Sequence, residues 1–420
     1  MIQIYKFGGA SVKDAEGVRN LAKVVLLNQH SSLLIVISAM GKTTNALEKL
    51  TEAYINQSEE VHQLLQGIKV FHEQICKDLF EDQSNPIFDD IENTFIEIEW
   101  ILEDSPHPDY DFNYDQIVSI GELVSTKIVS AYLNFKGLPN QWIDARGYIQ
   151  TDNTYREGKV DWNKTTSSIQ NDLLPLLLTK MIVTQGFIGG TSENFTTTLG
   201  REGSDYSAAI FASACKAESV TIWKDVSGVL NADPKLFNDT QKYDQLPYSE
   251  ALEMTYYGAT VIHPKTIKPL YQANIPLYVR PFLHPEQKGT VINNVAGIAK
   301  QEPSIIVKKD QVLASFSTKD FSFITEEHLT DIIGVFAGMH IKINMMQISA
   351  LSFSVCLDHH SKKLDELFNC LNTDFRIRYN TGLELYTIRN YKPDMIDKIR
   401  NGRVILMEQL SRNTAQLILK

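Results

Sequence analysis

Apolar runs at residues 2–7 and at Leu33-Leu34-Ile35-Val36-Ile37-Ser38 have the length and continuity of strands buried on both faces. Between them, the segment from Asp14 to Asn28 places Val18, Leu21, Val24 and Val25 at helical spacing. Strand–helix–strand in that order predicts an α/β layered domain with a parallel sheet. Helical spacing returns at Val61, Leu64, Leu65 and Ile68, and again at Ile91, Phe95, Ile98 and Ile101, before Ser105-Pro106-His107-Pro108 breaks it. Strands are expected at Met181–Phe187 and Ser219–Trp223, with a helix from Ser204 to Ala217 between them. Residues 285–297 read as loop, and Gln301-Glu302-Pro303 as a boundary. Beyond it, strands Gln311–Ser317, Ile341–Ile348, Ser352–Leu357 and Phe375–Tyr379 alternate with helices Glu326–Met339 and Ser361–Leu371, the ferredoxin-like βαββαβ order. Strand Leu383–Arg389, helix Pro393–Asn401 and strands Val404–Glu408 and Ala415–Leu419 then suggest a second, incomplete α+β unit.

Composition narrows the function classes. With 420 residues, 43% hydrophobic and 22% charged, the chain is an ordinary globular one, and its length is a prior of about three domains. Four separated cysteines form no C-x-x-C and fit a reducing cytoplasm. The opening Met1-Ile2-Gln3-Ile4-Tyr5-Lys6 goes straight into a strand-like run, so no leader is expected, and no apolar stretch approaches the ~20 residues of a membrane helix. The net charge of −11 argues against nucleic acid as a partner. That charge is localised. From Gln57 to Asp115 there are sixteen Asp or Glu against two Lys, or −14, which leaves 35 acids against 38 bases, or +3, elsewhere. A near-neutral remainder suits anionic ligands, and the acidic stretch reads first as a solvated helical face.

The chemistry sits in loops. Gly41-Lys42-Thr43-Thr44 resembles the end of a P-loop, but its required earlier glycine falls at Val36. No H-E-x-x-H and no histidine pair suggests a resident metal, so any metal is expected to arrive with a ligand. Lys6-Phe7-Gly8-Gly9-Ala10-Ser11 follows the first strand; glycines permit close backbone approach, a helix N-terminus favours an anion, and a lysine adds a point charge. A plain strand–helix turn is the competing explanation. Gly186-Phe187-Ile188-Gly189-Gly190 and Thr196-Thr197-Thr198-Leu199-Gly200-Arg201-Glu202-Gly203-Ser204-Asp205 form a second glycine- and hydroxyl-rich region, where Arg offers a fork to carboxylate or phosphate. Ser119-Ile120-Gly121-Glu122 places a carboxylate at a helix start, which the helix dipole alone would also favour.

Taken together, these blocks resemble the aspartate kinases of the amino-acid kinase superfamily. The resemblance is carried by residues 6–12, Ser38-Ala39-Met40-Gly41-Lys42-Thr43-Thr44-Asn45, the Ser119–Glu122 block, residues 197–205 and Gly258-Ala259-Thr260-Val261-Ile262-His263-Pro264. It implies an amino-acid-kinase fold over residues 1–295, a parallel-rich sheet with helices on both faces. Paired ferredoxin-like ACT units would occupy 304–420: an inserted unit at 311–381, and an outer unit of 304–310 plus 382–420 lacking its last helix. It further implies transfer of the ATP γ-phosphoryl group to the β-carboxylate of L-aspartate, the first step toward lysine, threonine and methionine, with Mg²⁺ carried by the nucleotide. On that pattern Lys6 is catalytic, bridging the phosphates and the attacking carboxylate, and Asp205 orients Lys6 or the amino group. Glu122 takes the α-ammonium, Arg201 a carboxylate, and Thr44, Gly203 and Ser204 complete the substrate site, while Gly8, Gly9 and Ser38 lie at the phosphates.

The chain also departs from the pattern. Lys224 precedes Asp225 where the family often has Thr; Leu230 replaces a nucleotide-pocket tyrosine, Lys235 an arginine, Thr260 a lysine and Glu202 a glycine. Lys224, Asp225, Leu230, Lys235 and Thr260 are therefore expected at the nucleotide with altered contacts, with Lys265 as a nearby replacement cation. Asn344 and Ala350 stand where lysine-sensitive members carry acids, leaving an effector amino acid at the ACT region open. A homodimer through these units is expected. The alternatives are a sensor of the same fold without turnover, or a kinase for another amino acid such as glutamate.

Overall fold

A computed structural model describes residues 1–28, 32–259, 262–295 and 302–420. It divides into two units, one formed by Met1–Val229, Lys242–Leu252 and Thr260–Gly297, the other by Leu230–Gln241, Glu253–Ala259 and Ile298–Lys420. The division is not purely sequential, since two short segments of the first 295 residues group with the C-terminal part.

In the first unit, β1 (Ile2–Phe7), α1 (Ala15–Leu27) and β2 (Ser32–Ile37) come first, followed by five helices: α2 (Thr43–Ile55), α3 (Val61–Leu79), α4 (Ile87–Glu103), α5 (Tyr110–Val118) and α6 (Ile120–Phe135). Then come β3 (Asn140–Trp142), α7 (Trp162–Ser168), α8 (Leu174–Leu177), β4 (Met181–Gln185) and the hairpin β5 (Ile188–Gly190) and β6 (Thr196–Thr198). After α9 (Gly203–Cys215) and β7 (Ser219–Lys224) come β8 (Gln245–Pro247), α10 (Tyr248–Tyr256, whose residues from Glu253 on group with the second unit), α11 (Pro264–Ala273), β9 (Leu277–Pro281) and β10 (Thr290–Asn293). The main sheet has the order β3-β4-β2-β1-β7-β9-β10-β8, and only the β9–β10 pairing is antiparallel. Every residue of β2 is buried, as a central strand covered on both faces requires. Helix α1 is fixed at its start by Asp14, whose carboxylate accepts from Gly17 N at 2.8 Å, and turns Val18, Leu21, Val24 and Val25 inward.

Within the stretch read as loop at 285–297, the described residues contain β10, which pairs Thr290 with Val279. Pro285 and Gly289 dominate the local signal, and four residues of alternating burial are too few to register as a strand. Gly289 has φ of +67°, and a Cβ there would lie 2.1 Å from Val279 O, so the turn needs glycine.

The second unit contains β11 (Ser304–Thr318), α12 (Glu326–Gly338), β12 (Ile343–Ile348), β13 (Phe353–Asp358), α13 (Ser361–Leu371), β14 (Phe375–Arg389), α14 (Pro393–Arg400), β15 (Ile405–Leu410) and β16 (Thr414–Leu419). Its sheet runs β12-β13-β11-β14-β16-β15. The sequence breaks each central strand in two, at Lys308-Lys309-Asp310 and near Gly382. The structure joins the pieces into two strands of 15 residues with shifts of register between Lys308 and Leu313. Asp310 at φ +51° and Gly382 at φ +66° absorb the irregularity. One core gathers Val312, Phe316, Phe336, Phe353 and Leu367, and another Ile388, Ile399, Leu417 and Leu419. Among the described residues, no helix is long and apolar enough to cross a membrane.

Candidate active site

The carboxyl ends of adjacent parallel strands are where α/β sheets of this kind bind ligands. Lys6 lies on β1 in register with Val36 of β2 and Ile222 of β7, and is 7% exposed. Its ammonium stands 2.7 Å from Asp205 Oδ1, an ion pair not aligned as a hydrogen bond. Lys224, at the end of β7, approaches Asp205 Oδ2 at 3.5 Å. Burial alone would raise the Asp205 carboxyl, but the two ammoniums outweigh it and hold it below its ordinary range. Asp205 therefore fixes two cations at these strand ends. The sequence expected Lys224 at the nucleotide; the structure pairs it with Asp205.

The loops after β1 and β2 are laced together. Ser38 N donates to Phe7 O at 3.1 Å and Gly41 N to Gly9 O at 3.0 Å. A Cβ on Gly9 would sit 2.6 Å from Ala39 O, so this approach excludes any side chain. Gly8 flanks the Lys6 ammonium, 3.4 Å from where its Cβ would be. Thr44 lies in the first turn of α2, half-buried.

Glu122, in the first turn of α6, is 2% exposed. Its Oε1 accepts from Ala39 N at 3.2 Å, while Oε2 is buried with no partner. Burial pushes the carboxyl up to about 8, against a pull from the Ala39 amide and Lys6. A buried acceptor without a donor is costly, and a ligand ammonium would satisfy it.

The loop from β6 to α9 brings Arg201, Gly203 and Ser204. Arg201 is exposed; Gly203 opens α9 beneath the Phe187 ring, where a Cβ would come within 2.7 Å. Phe187 and Glu202 take left-handed backbone, φ +71° and +52°, strain of the kind that collects at ligand sites. Glu202 also has a buried, unpartnered Oε2, and burial raises its carboxyl against the Lys224 and Lys6 charges. Lys265, in the first turn of α11, brings its ammonium 3.5 Å from Leu199 O, against the same loop.

The structure thus gathers Lys6, Asp205, Lys224, Gly8, Gly9, Ser38 and Glu122, with Arg201, Gly203 and Ser204 on the loop that leads to Asp205; Thr44 is placed only in the first turn of α2. Asp225 is exposed just past β7. Leu230 and Lys235 belong to the second unit, Lys235 being exposed there. Thr260 lies outside the described residues. The sequence marked the block around Glu202 but saw that residue only as a lost glycine, and it passed over Asp115 of α5, a buried acid in a stretch that reads as a solvated face.

The model of the amino acid kinase family matches residues 1–281. The chain belongs to the amino acid kinase family. Within that family it is 30% identical over 357 residues to the lysine-sensitive aspartokinase 3 of Escherichia coli, covering 85% of this chain and 78% of the relative. A chloroplastic bifunctional aspartokinase/homoserine dehydrogenase 2 of Arabidopsis thaliana is 29% identical over 91% of this chain, which spans only 43% of that longer protein. Among solved structures, E. coli aspartokinase III in complex with aspartate and ADP aligns with a TM-score of 0.85 and 27% identity, covering all of this chain and 96% of that one. This family member thus shares the two-part build of aspartokinases, kinase sheet first and ACT-type sheet after.

Proposed function

We propose that this kinase transfers the γ-phosphoryl group of ATP to the β-carboxylate of L-aspartate, giving 4-phospho-L-aspartate, the entry to lysine, threonine and methionine. The observation that carries it is Glu122, a buried carboxylate with one unpartnered oxygen beside a lysine-headed phosphate site. Glu122 takes the α-ammonium and Arg201 a carboxylate, which leaves the β-carboxylate directed at Lys6. Thr44, Gly203 and Ser204 line the amino acid; Gly8, Gly9 and Ser38 face the phosphates. A carboxylate oxygen forms the new bond to γ-phosphorus as the bond to the ADP oxygen breaks, and ADP leaves with that electron pair. No general base is needed, because the nucleophile is already an anion. The task is positioning and charge neutralisation, supplied by Lys6 and Lys224 with Asp205 holding both.

Mg²⁺ fits as part of the nucleotide. The ion is commonly held by phosphates with one or two carboxylates, and the buried, unpartnered Glu202 oxygen is a carboxylate able to join it. Among the described residues, no three His, Cys, Asp or Glu side chains converge as metal ligands. We assign Asp225 to nucleotide contacts, the protein to the cytoplasm, and dimerisation to the second unit, where edge strand β12 exposes Met346 and Ile348. An amino-acid effector at that unit meets an Asn344 already engaged: Lys308 donates to its Oδ1 at 2.7 Å, and its Nδ2 donates to Gln311 and Asp358 at 2.9 and 3.0 Å.

Hydroxamate trapping with ATP, Mg²⁺ and a panel of amino acids tests the reading. Product from aspartate and none from glutamate is expected. Product from glutamate alone would reassign the substrate, since Glu122 and Arg201 grip any α-amino acid; ATP binding with no product from any acceptor would make the chain a sensor. Adding lysine, threonine or methionine to the same rates tests the effector.

A further inference from the structure

Of the sixteen acidic residues between Gln57 and Asp115, only Asp115 is buried. It lies in α5 and accepts three hydrogen bonds from distant parts of the chain. Its Oδ2 takes Arg156 N at 2.8 Å and Thr198 N at 2.9 Å, and its Oδ1 takes Thr198 Oγ1 at 2.7 Å. Burial pushes the carboxyl up to about 6, with the three donors pulling back, so it is an ionised acceptor at neutral pH.

Its neighbours link the two ends of the amino-acid site. Helix α5 runs through Ser119 directly into α6, which carries Glu122. Thr198 closes β6, three residues before Arg201. Arg156 reinforces the same joint. Its carbonyl would lie 3.2 Å from a Cβ on Gly200, whose φ is +77°, and its guanidinium stacks 4.3 Å over the Tyr114 ring of α5. One carboxylate thereby ties the strand leading to Arg201 onto the helix pair that holds Glu122.

We propose that Asp115 is a positioning residue for the amino-acid substrate, fixing the Thr198–Arg201 segment against α5 and α6 so that Arg201 and Glu122 grip one ligand together. The proposal rests on the roles given above to Arg201 and Glu122. A carboxylate serving fold stability alone would make the same hydrogen bonds, but its loss would impair both substrates alike.

The test uses the full-length protein with Asp115→Asn and Thr198→Val. The first keeps the shape but turns one acceptor into a donor that faces donors; the second removes one bond of the three. Aspartate is varied at saturating ATP and ATP at saturating aspartate, and hydrogen exchange is followed by mass spectrometry. Asp115→Asn should raise the aspartate KM about tenfold and Thr198→Val about threefold, with the ATP KM within roughly twofold for both. Exchange at residues 196–205 should quicken while residues 6–12 stay as protected as before. An unchanged aspartate KM, an equal rise in both KM values, or unchanged exchange at 196–205 would overturn the proposal. If Asp115→Asn fails to fold, Thr198→Val decides by the same criteria. If the wild-type protein makes no aspartyl phosphate, the functional reading has failed separately, and the exchange result still decides whether Asp115 tethers the segment.

Discussion

With one oxygen on the Ala39 amide and the other on nothing, Glu122 destabilises the ligand-free protein whenever it is ionised. Its carboxyl sits at about 8, above the ordinary 4.5, so the folded state keeps a proton that the unfolded chain has lost. Stability from this group is therefore full below about 4.5 and is lost as pH rises through 8. Glu122→Gln should melt at a higher temperature than the parent at pH 9 in scanning calorimetry. It should also lose on the order of 10- to 100-fold in kcat/KM for aspartate, the equivalent of one hydrogen bond to a charged group. In the parent, the same parameter should rise with pH as Glu122 ionises; a flat profile between pH 6 and 9 would remove Glu122 from ammonium recognition. Lys6→Met should lower turnover by about 10²- to 10³-fold while calorimetry still detects nucleotide binding. A near-normal rate would show the phosphoryl group to be elsewhere. Short glycine-bearing blocks drew attention to Lys6, Glu122 and Asp205, and only the resemblance to aspartate kinases gave them roles. Asp115 was not legible, because one buried acid among fifteen exposed or half-buried ones has the same sequence signature as a solvated face.

At the scale of elements, the loops after β1 and β2 behave as a single surface, because amides of the second donate to carbonyls of the first. Gly9→Ala would place a methyl 2.6 Å from Ala39 O, and backbone has little room to retreat. The substitution should lower the melting temperature and raise the ATP KM more than the aspartate KM; unchanged values of both would mean that the loops separate freely. Helices with one clear apolar stripe, such as α1 and α13, could be read within a residue or two of their ends. Short pieces could not. The strands β3, β5, β6 and β8 have three residues each, too few for periodicity, and exist because neighbouring strands supply their hydrogen bonds. The long strands β11 and β14 failed differently: polar bulge residues within them look like ends, and only pairing across the sheet shows that the chain continues.

For the molecule as a whole, the net charge of −11 describes the helices α3 to α5 rather than the candidate site, which is headed by lysines. Buried Lys69 offsets a small part of that acidic layer, with its ammonium 3.0 Å from Glu92 and 2.6 Å from Glu99. The second unit carries the assembly prediction. Light scattering should report twice the 47.6 kDa chain mass, and Ile348→Lys on the exposed edge strand β12 should shift it toward one chain without loss of kinase fold by circular dichroism. A monomeric parent would sink it. The two 15-residue strands have a further consequence for anyone who would retune the protein by exchanging part of its second unit with that of a relative. Each strand serves both halves of its sheet, so a graft of either half must be spliced within β11 and again within β14. A donor segment must match the register on both sides of each bulge, and a single crossover point cannot deliver one half intact.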